Sequence, residues 1–513
     1  MVANISPRVK LAGNAFLPQH LLVTQKTLAK QSNLSYPLCP RSKSTMSIKH
    51  IHFSGICGTA MGAVATAMAR KGYSISGSDD NVYPPMSTFL QEEGIEIFQG
   101  YSPQNIPEAT DLVVIGNAMS RGNAEVEAVL ERGLRYMSLP EAMKEFFLWG
   151  KQNYVVTGTH GKTTTTSMLT WVMEDNGLNP SFMIGGIARN LKRGGRFTDS
   201  DFCVLEGDEY DTAFFDKRSK FLHYLPRVVI INNIEMDHAD IYASVDEIKL
   251  SFKRLLRVVP QSGIVFVNAD CPHCREVAEH ARTELRNCVR VVSVGLGENS
   301  DRRITEVELL PEGCSFTLEG ERYSIPMVGE FNIRNAAMAT CAALFAGLTP
   351  EQIRASLLRF EGVARRQEVR GTVNDVTVVD DFAHHPTAVT QAIQGLRQRF
   401  PESRLWVLFD PRSNTMIRKL FQHELATALS SADFVVLSPV ESFKKLPPEE
   451  RLDLATLCQE IQAGGTECHQ GKSVDDIVAH VVARAHPGDV LLVMSNGGFG
   501  GIHCRLLTAL AQQ

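Results

Sequence analysis

Tyr154-Val155-Val156-Thr157-Gly158-Thr159-His160-Gly161-Lys162-Thr163-Thr164 sets an apolar β-branched run, a turn holding two glycines and the start of a helical stretch in direct succession. Glycines in such a turn let backbone N–H groups crowd an anion. The helix N-terminus adds its positive dipole end, and Lys162 adds a mobile charge. The Thr163 hydroxyl is in position to reach a metal ion held by the same phosphates. The loop is shorter than the usual G-x-x-x-x-G-K-[ST], because Val156 stands where the first glycine would be. The bland alternative is a glycine turn beside a surface lysine. A strand before the turn and a helix from Thr163 to about residue 176 favour the phosphate loop, with Gly158, Thr159, His160, Gly161, Lys162, Thr163 and Thr164 around a nucleotide.

Outward from this loop the chain alternates short β-branched runs with amphipathic stretches, which predicts an α/β protein of mainly parallel sheets. Strands are expected at 51–54, 73–77 and 111–116, then at 154–157, 202–205, 228–231 and 264–267, and again at 376–379, 405–409, 434–437 and 490–494. A β-rich stretch at 302–326 and an Ala-rich helix at 332–345 close the second group. This divides the chain into 46–150, 151–347 and 348–513. Polar residues cluster just after the strands: Ser78-Asp79-Asp80, Asn117, Glu206-Gly207-Asp208-Glu209, Asp237-His238, Asp380-Asp381, Asp410-Pro411-Arg412 and Ser495-Asn496-Gly497-Gly498. Open parallel sheets bind ligands at the carboxyl ends of their strands. Three such edges facing one cleft would serve several substrates.

A length of 513 residues suits two to four domains, and 44% hydrophobic with 21% charged residues is ordinary for a globular protein. The net charge of −5 gives no footprint for nucleic acid, and no uninterrupted run of 18 apolar residues suggests a membrane span. Eleven cysteines include one C-x-x-C, Cys271 to Cys274, without a second pair at zinc-ribbon spacing. Free thiols in this number read as a cytoplasmic protein. Residues 1–45 carry Arg8, Lys10, Lys26, Lys30, Arg41 and Lys43 but no Asp or Glu. That composition is similar to a transit peptide, but Met46 directly precedes the first strand, so an upstream start or a disordered tail is the expected reading. A chain beginning at Met46 is therefore expected to keep full activity, which a side-by-side assay with the full chain checks.

Two further groups carry chemistry. Glu206 ends a buried strand and is a natural oxygen ligand for phosphate-bound Mg²⁺, whereas His238, beside Asp237, is an unusual ligand for so hard an ion. Gly55, Gly58 and Gly62 open a helix after the first strand, in a spacing that is not the dinucleotide G-x-G-x-x-G. Asp79, at the end of the second strand, stands where a ribose-binding acid often sits.

Taken in order, Gly158–Thr164, Glu206-Gly207-Asp208-Glu209-Tyr210-Asp211, Asn233-Ile234-Glu235-Met236-Asp237-His238, Gly329–Ala336, Arg365-Arg366 and Asp381-Phe382-Ala383-His384-His385-Pro386 resemble the Mur ligase family over residues 46–513. The resemblance implies three domains: an N-terminal Rossmann-like domain for a UDP-sugar, a central P-loop ATPase-like domain, and a C-terminal Rossmann-like domain for acceptor and nucleotide. It implies ATP and Mg²⁺. Lys162, Glu206 and His238 would be catalytic, Thr163, Glu206 and His238 would hold the metal, and Asn332, Asn335, Arg366 and Asp381 would grip the nucleotide. Gly55, Cys57, Gly58, Thr59, Asp79 and Asn117 would meet UDP-N-acetylmuramic acid. Arg412, Ser413, Asn414 and His384 would meet the acceptor, with His385 an alternative to His384. Phe331 departs from the family, most members of which carry His there. Lys253 lies near a lysine that several members carbamylate, and is read as a surface helix residue.

Within the family the chain is most similar to the branch that joins UDP-N-acetylmuramic acid to the murein tripeptide L-alanyl-γ-D-glutamyl-meso-diaminopimelate in cell-wall recycling. The residues that carry this are His52–Gly62, Gly116–Asn123, Asp410–Met416 and Ser495–His503. The alternative is the branch that adds free L-alanine, which is less similar at the loops after Phe409 and Met494. A catalytically silent nucleotide-binding regulator is a third reading, against which an intact Lys162, Thr163 and Glu206 argue. A monomer or weak homodimer is expected.

Overall fold

The structure, a computed structural model, describes residues 48–512 apart from 84, 85, 287, 444 and 445. The acid-free segment 1–45 lies outside the described residues.

The first sheet has five parallel strands, in spatial order Glu96–Gln99, Ser74–Asp79, His50–Ser54, Leu112–Ile115 and Tyr136–Ser138. Ile51, Phe53 and Leu112 through Ile115 are completely buried, as strands covered on both faces require. The strand order reverses between His50–Ser54 and Leu112–Ile115. Open parallel sheets carry their ligand crevice at such a point, beyond the carboxyl ends of the two strands, which Gly55 and Asn117 follow.

The second sheet has ten strands. Parallel pairing runs from Arg302–Leu310 through Arg290–Gly295, Ile264–Asn268, Pro226–Ile231, Gln152–Thr157 and Phe202–Glu206 to Ser181–Met183. Antiparallel additions finish both edges, with Gly313–Leu318 and Glu321–Ile325 at one end and Gly195–Arg196 at the other. The phosphate loop leaves a central strand. Its helix, Lys162–Asp175, packs through Leu169 and Val172 in one core with the Ala-rich helix Glu330–Phe345. That second helix is apolar around most of its circumference, and it is buried accordingly.

The third sheet runs Glu368–Val373, Val376–Asp381, Val490–Ser495, Leu405–Asp410, Phe434–Leu437 and Glu467–Gln470. Only its first pair is antiparallel.

Several expectations need correction. Ser78, Asp380, Asp381, Asp410 and Ser495 are strand residues rather than loop residues, while Asp79 and Glu206 end their strands as expected. Pairing persists to them, as in Asp381 with Met494 and Asp410 with Ser495, so each side chain stands on a fixed ladder. The first domain closes on a short α-helix, Leu139–Met143, running into a π-helix, Lys144–Leu148. Lys253 is half-buried rather than fully exposed, on the helix Val245–Leu256, with Glu276 3.4 Å from its ammonium. No helix among the described residues is long and apolar enough to cross a membrane.

Candidate active site

The phosphate loop depends on its two glycines. Gly158 has φ +126°, and a Cβ there would lie 2.9 Å from the backbone N and O of Asn233. Gly161 has φ +77°, caps the helix Lys162–Asp175, and a Cβ there would come within 2.5 Å of Asn335 Oδ1. Asn233 fixes the turn from the neighbouring strand end: its Oδ1 accepts from His160 N at 2.7 Å and its Nδ2 donates to His160 O at 3.2 Å.

Lys162 Nζ donates to Glu209 Oε2 at 2.9 Å and lies 4.0 Å from Asp208. Burial disfavours the ammonium, but the two carboxylates outweigh it and raise its pKa, so the charge stays. Thr163 Oγ1 donates to Glu206 Oε1 at 2.9 Å, and Gly185 N donates to the other Glu206 oxygen at 2.6 Å. Burial pushes the Glu206 carboxyl up, against Gly185 N–H and Lys162. A bound cation would relieve that desolvation.

His238 stands apart from Glu206 in a different group. Its Nε2 lies 3.6 Å from Glu209 and 3.9 Å from Asp208, and these three residues form a set of ligand atoms within 4.8 Å of one another that does not include Glu206. Burial works against His238's charge, yet Glu209, Asp237 and Asp208 together raise its pKa to about 9. To ligate a metal it must first lose that proton. Asp208 and Glu209, the alternatives to Glu206 that the sequence also offers, lie beside Lys162 and His238 and are equal candidates for the ligand role.

A cavity of about 430 Å³ opens beside the loop, lined among others by Asn232, Asn268, Asp270, Phe331, Arg334 and Asn335. Asn232 Oδ1 is buried in the cavity wall without a hydrogen-bond partner among the described residues, an unmet polar group at this site. Arg334 is held by Asp270 at 3.0 Å. The glycine cradle, the charged Lys162, the Thr163–Glu206 pair and this orphan oxygen fit a nucleoside triphosphate with Mg²⁺. Asn335 and Phe331 line the cavity, but Asn332 does not. It is fully buried, donates to Val328 O at 2.8 Å and accepts from Asn335 at 3.2 Å, so it braces Asn335.

Arg366 reaches Thr163 Oγ1 at 3.5 Å and covers the Phe382 ring. Asp381 is buried and accepts from Gln367 N and Ala383 N at 2.8 and 2.7 Å, so both its oxygens are spent on backbone. In the first domain Asp79 accepts from Cys57 N at 2.9 Å and from Asn81 N at 2.9 Å, which makes it the anchor of the glycine turn. Gly55 has φ +91°, Gly58 caps the helix Thr59–Arg70 and is exposed like Thr59, and Asn117 is exposed.

Besides Arg366, the third domain meets the phosphate loop through His385 and the segment 237–240 through the loop after Leu405–Asp410. His160 Nε2 meets His385 Nδ1 at 3.0 Å, with Glu235 3.4 and 3.6 Å away. The loop after Leu405–Asp410 docks on 237–240, where Thr415 donates to Asp237 at 2.8 Å and Asn414 to Asp240 at 2.8 Å. His385 is the buried N-cap of the helix Pro386–Arg399, whereas His384 is half-buried and faces Phe382 O at 3.0 Å. Ser413 Oγ accepts from Met416 N at 3.0 Å. Arg412 forms a two-point pair with Glu441 at 3.2 and 2.6 Å, and its stem lies so close to Gly497 that a Cβ there would be 2.7 Å from it.

Residues 50–148 match the family model described as Mur ligase family, catalytic domain; 156–343 match the Mur ligase middle domain and 365–497 the Mur ligase glutamate ligase domain. The chain belongs to the Mur ligase family. A Haemophilus influenzae protein named UDP-N-acetylmuramate–L-alanyl-γ-D-glutamyl-meso-2,6-diaminoheptandioate ligase is 42% identical over 90% of this chain and 99% of its own. A UDP-N-acetylmuramate–L-alanine ligase of Endomicrobium trichonymphae is 32% identical over 78% of this chain and 87% of its own. A crystal structure of a murein peptide ligase from Psychrobacter arcticus has a TM-score of 0.66 at 35% identity, covering 91% of this chain and 99% of that one. As a Mur ligase the chain is an enzyme that forms C–N bonds, and its three sheets are the N-terminal, middle and C-terminal domains of that architecture.

Proposed function

We propose that this Mur ligase joins UDP-N-acetylmuramic acid to L-alanyl-γ-D-glutamyl-meso-diaminopimelate at the cost of ATP, in cytoplasmic recycling of murein peptides. One observation carries the reading: similarity to a tripeptide ligase runs through 90% of the chain at 42% identity, with the phosphate loop intact. The division near residues 150 and 347 belongs to the same reading.

In this account the lactyl carboxylate attacks the γ-phosphorus of ATP. An O–P bond forms, the bond to the β,γ-bridging oxygen breaks, and ADP leaves. The peptide's α-amine then attacks the acyl carbonyl, a C–N bond forms, phosphate departs and the amine loses a proton. Gly158–Lys162 backbone groups and the Lys162 ammonium hold the phosphates, and Thr163, Glu206 and His238, or Asp208 and Glu209 in its place, would hold Mg²⁺. Mg²⁺, when bound, neutralises charge on the phosphoryl oxygens. Arg334 and Asn335 line the place for the base, and Arg366 bridges from the third domain to Thr163. The first domain's crevice, between Gly55 and Asn117, suits the UDP-sugar.

Release of ADP only when sugar and peptide are both present tests the ligation. Glu206→Gln keeps the shape and removes the charge, so it is expected to raise the Mg²⁺ concentration for half-maximal rate. An unchanged Mg²⁺ titration would transfer the ligand role to Asp208 or Glu209.

A further inference from the structure

Cys271-Pro272-His273-Cys274 is a motif the ligation chemistry does not use. Cys271 is the N-cap of the helix Pro272–Thr283, in extended conformation at φ −89° and ψ 120°, and its carbonyl accepts the first helical bond from Arg275 N at 3.1 Å. Pro272, first in the helix, fixes the turn. The arrangement sets the two cysteines about 5–6 Å apart at Cα, inside the range a disulfide spans. Both thiols are free; Cys271 is half-buried and Cys274 completely buried.

The neighbouring Cys274 thiol and the helix-start backbone at His273 and Cys274 lower the Cys271 thiol to about 6 against the opposing effect of burial. Burial pushes the Cys274 thiol up. An accessible thiolate with a buried resolving thiol one helical turn on is the arrangement that exchanges disulfides. Among the described residues neither thiol belongs to a group of three or more ligands able to hold a metal, which leaves redox chemistry.

The pair sits on the nucleotide cavity. Cys271, Pro272 and His273 line it, as do Ile234 and Glu235. Cys271 Sγ also faces Ile234 O at 3.9 Å, and Cys274 Sγ faces Ile231 O at 3.8 Å, on the strand that leads to Asn233 of the phosphate loop.

We propose that Cys271 and Cys274 form a reversible intrachain disulfide in the wall of the cavity, and that its formation weakens ATP binding; the coupling rests on the reading of this cavity as the ATP site. The oxidant is a small-molecule disulfide such as oxidised glutathione. The Cys271 thiolate attacks one of its sulfurs, an S–S bond forms and one glutathione thiolate leaves. Cys274 then loses its proton and attacks Cys271 Sγ, releasing the second. Two electrons pass to glutathione and the protein loses two. Drawing the sulfurs to bonding distance takes Cys271 Sγ off Ile234 and shifts the 271–273 wall. Because binding linkage is reciprocal, ATP must disfavour the disulfide by the factor by which the disulfide disfavours ATP.

The test equilibrates the full chain in reduced and oxidised glutathione, maps disulfides by peptide mass, and measures KM for ATP. Expected are a 271–274 bridge, a rise in ATP KM of roughly fivefold or more, recovery with dithiothreitol, and less bridge at saturating ATP. Cys274→Ala is expected to stop at a glutathione adduct on Cys271; if that variant fails to fold, the parent's disulfide map decides alone. Absence of the bridge under conditions that oxidise a thioredoxin-type dithiol overturns the switch. So does a bridged enzyme with the reduced enzyme's ATP KM while Arg334→Ala raises that KM, and in that case the cavity assignment stands. If bridge and Arg334→Ala both leave ATP KM unmoved, the cavity is not the ATP site and the switch falls with it.

Discussion

Lys162→Ala is expected to lower ATP-dependent ligation by at least ~10²-fold, the scale of losing one strong charge from a phosphoryl-transfer site. Lys162 stands at the first position of its helix, between the glycine cradle and the carboxylates of Asp208 and Glu209. Those acids hold it charged and aimed before any phosphate arrives, so orientation costs little when the triphosphate binds. The substitution leaves Glu209, only 1% exposed, without its ammonium partner. His238 at 3.6 Å remains beside it, and the fold is expected to survive with some loss of stability. Circular dichroism with single-turnover kinetics separates the two effects: a folded variant turning over near the parent rate would remove Lys162 from the mechanism.

Arg412→Lys is expected to cut kcat/KM for the tripeptide about ten- to a hundredfold, with KM for ATP and UDP-sugar unchanged. The side chain rises from the strand end at Asp410, and Asp410 lies 3.6 Å from its guanidinium. Its stem passes over Gly497, so the two loops that carry the likeness to tripeptide ligases meet here. Its fork is engaged by the exposed carboxylate of Glu441 at two points, the geometry a diaminopimelate carboxylate would adopt in its place. Free L-alanine has no carboxylate at that reach. Lysine keeps the charge and loses the fork, and a charge-assisted bond of roughly 1.5–3 kcal/mol sets the scale. Unchanged kcat/KM would confine Arg412 to holding Glu441 and its loop.

The phosphate loop was legible because strand, turn and helix are contiguous, and each residue's role depends on its neighbours in the chain. The sheets' central strands were legible for a similar reason: double burial writes unbroken runs such as Leu405–Phe409. The short strands Ser181–Met183 and Gly195–Arg196, the last two at one end of the second sheet, span three and two residues, too few to display a period. The cavity was harder still. Asn232, Asp270 and Arg334 converge only because adjacent strands and the Ala-rich helix end at one edge. Asp270 does follow a strand, as the other flagged acids do, and that signal could have found it. Asn332 and Asn335 differ by less than one helical turn, yet one is enclosed beneath the other. Asp79 and Asp381 look like ligand-binding acids at strand ends, and the structure adds that each oxygen of both accepts one backbone N–H, a bracing role that the sequence does not display.

The acceptor is the centre of the account, and a direct competition tests it. With UDP-N-acetylmuramic acid, ATP and Mg²⁺ present, equal concentrations of free L-alanine and L-alanyl-γ-D-glutamyl-meso-diaminopimelate are offered to the full-length enzyme, and the products are separated by mass. The account predicts UDP-N-acetylmuramoyl-tripeptide as the dominant product, formed with one ADP per bond. Preferential formation of UDP-N-acetylmuramoyl-L-alanine would contradict it.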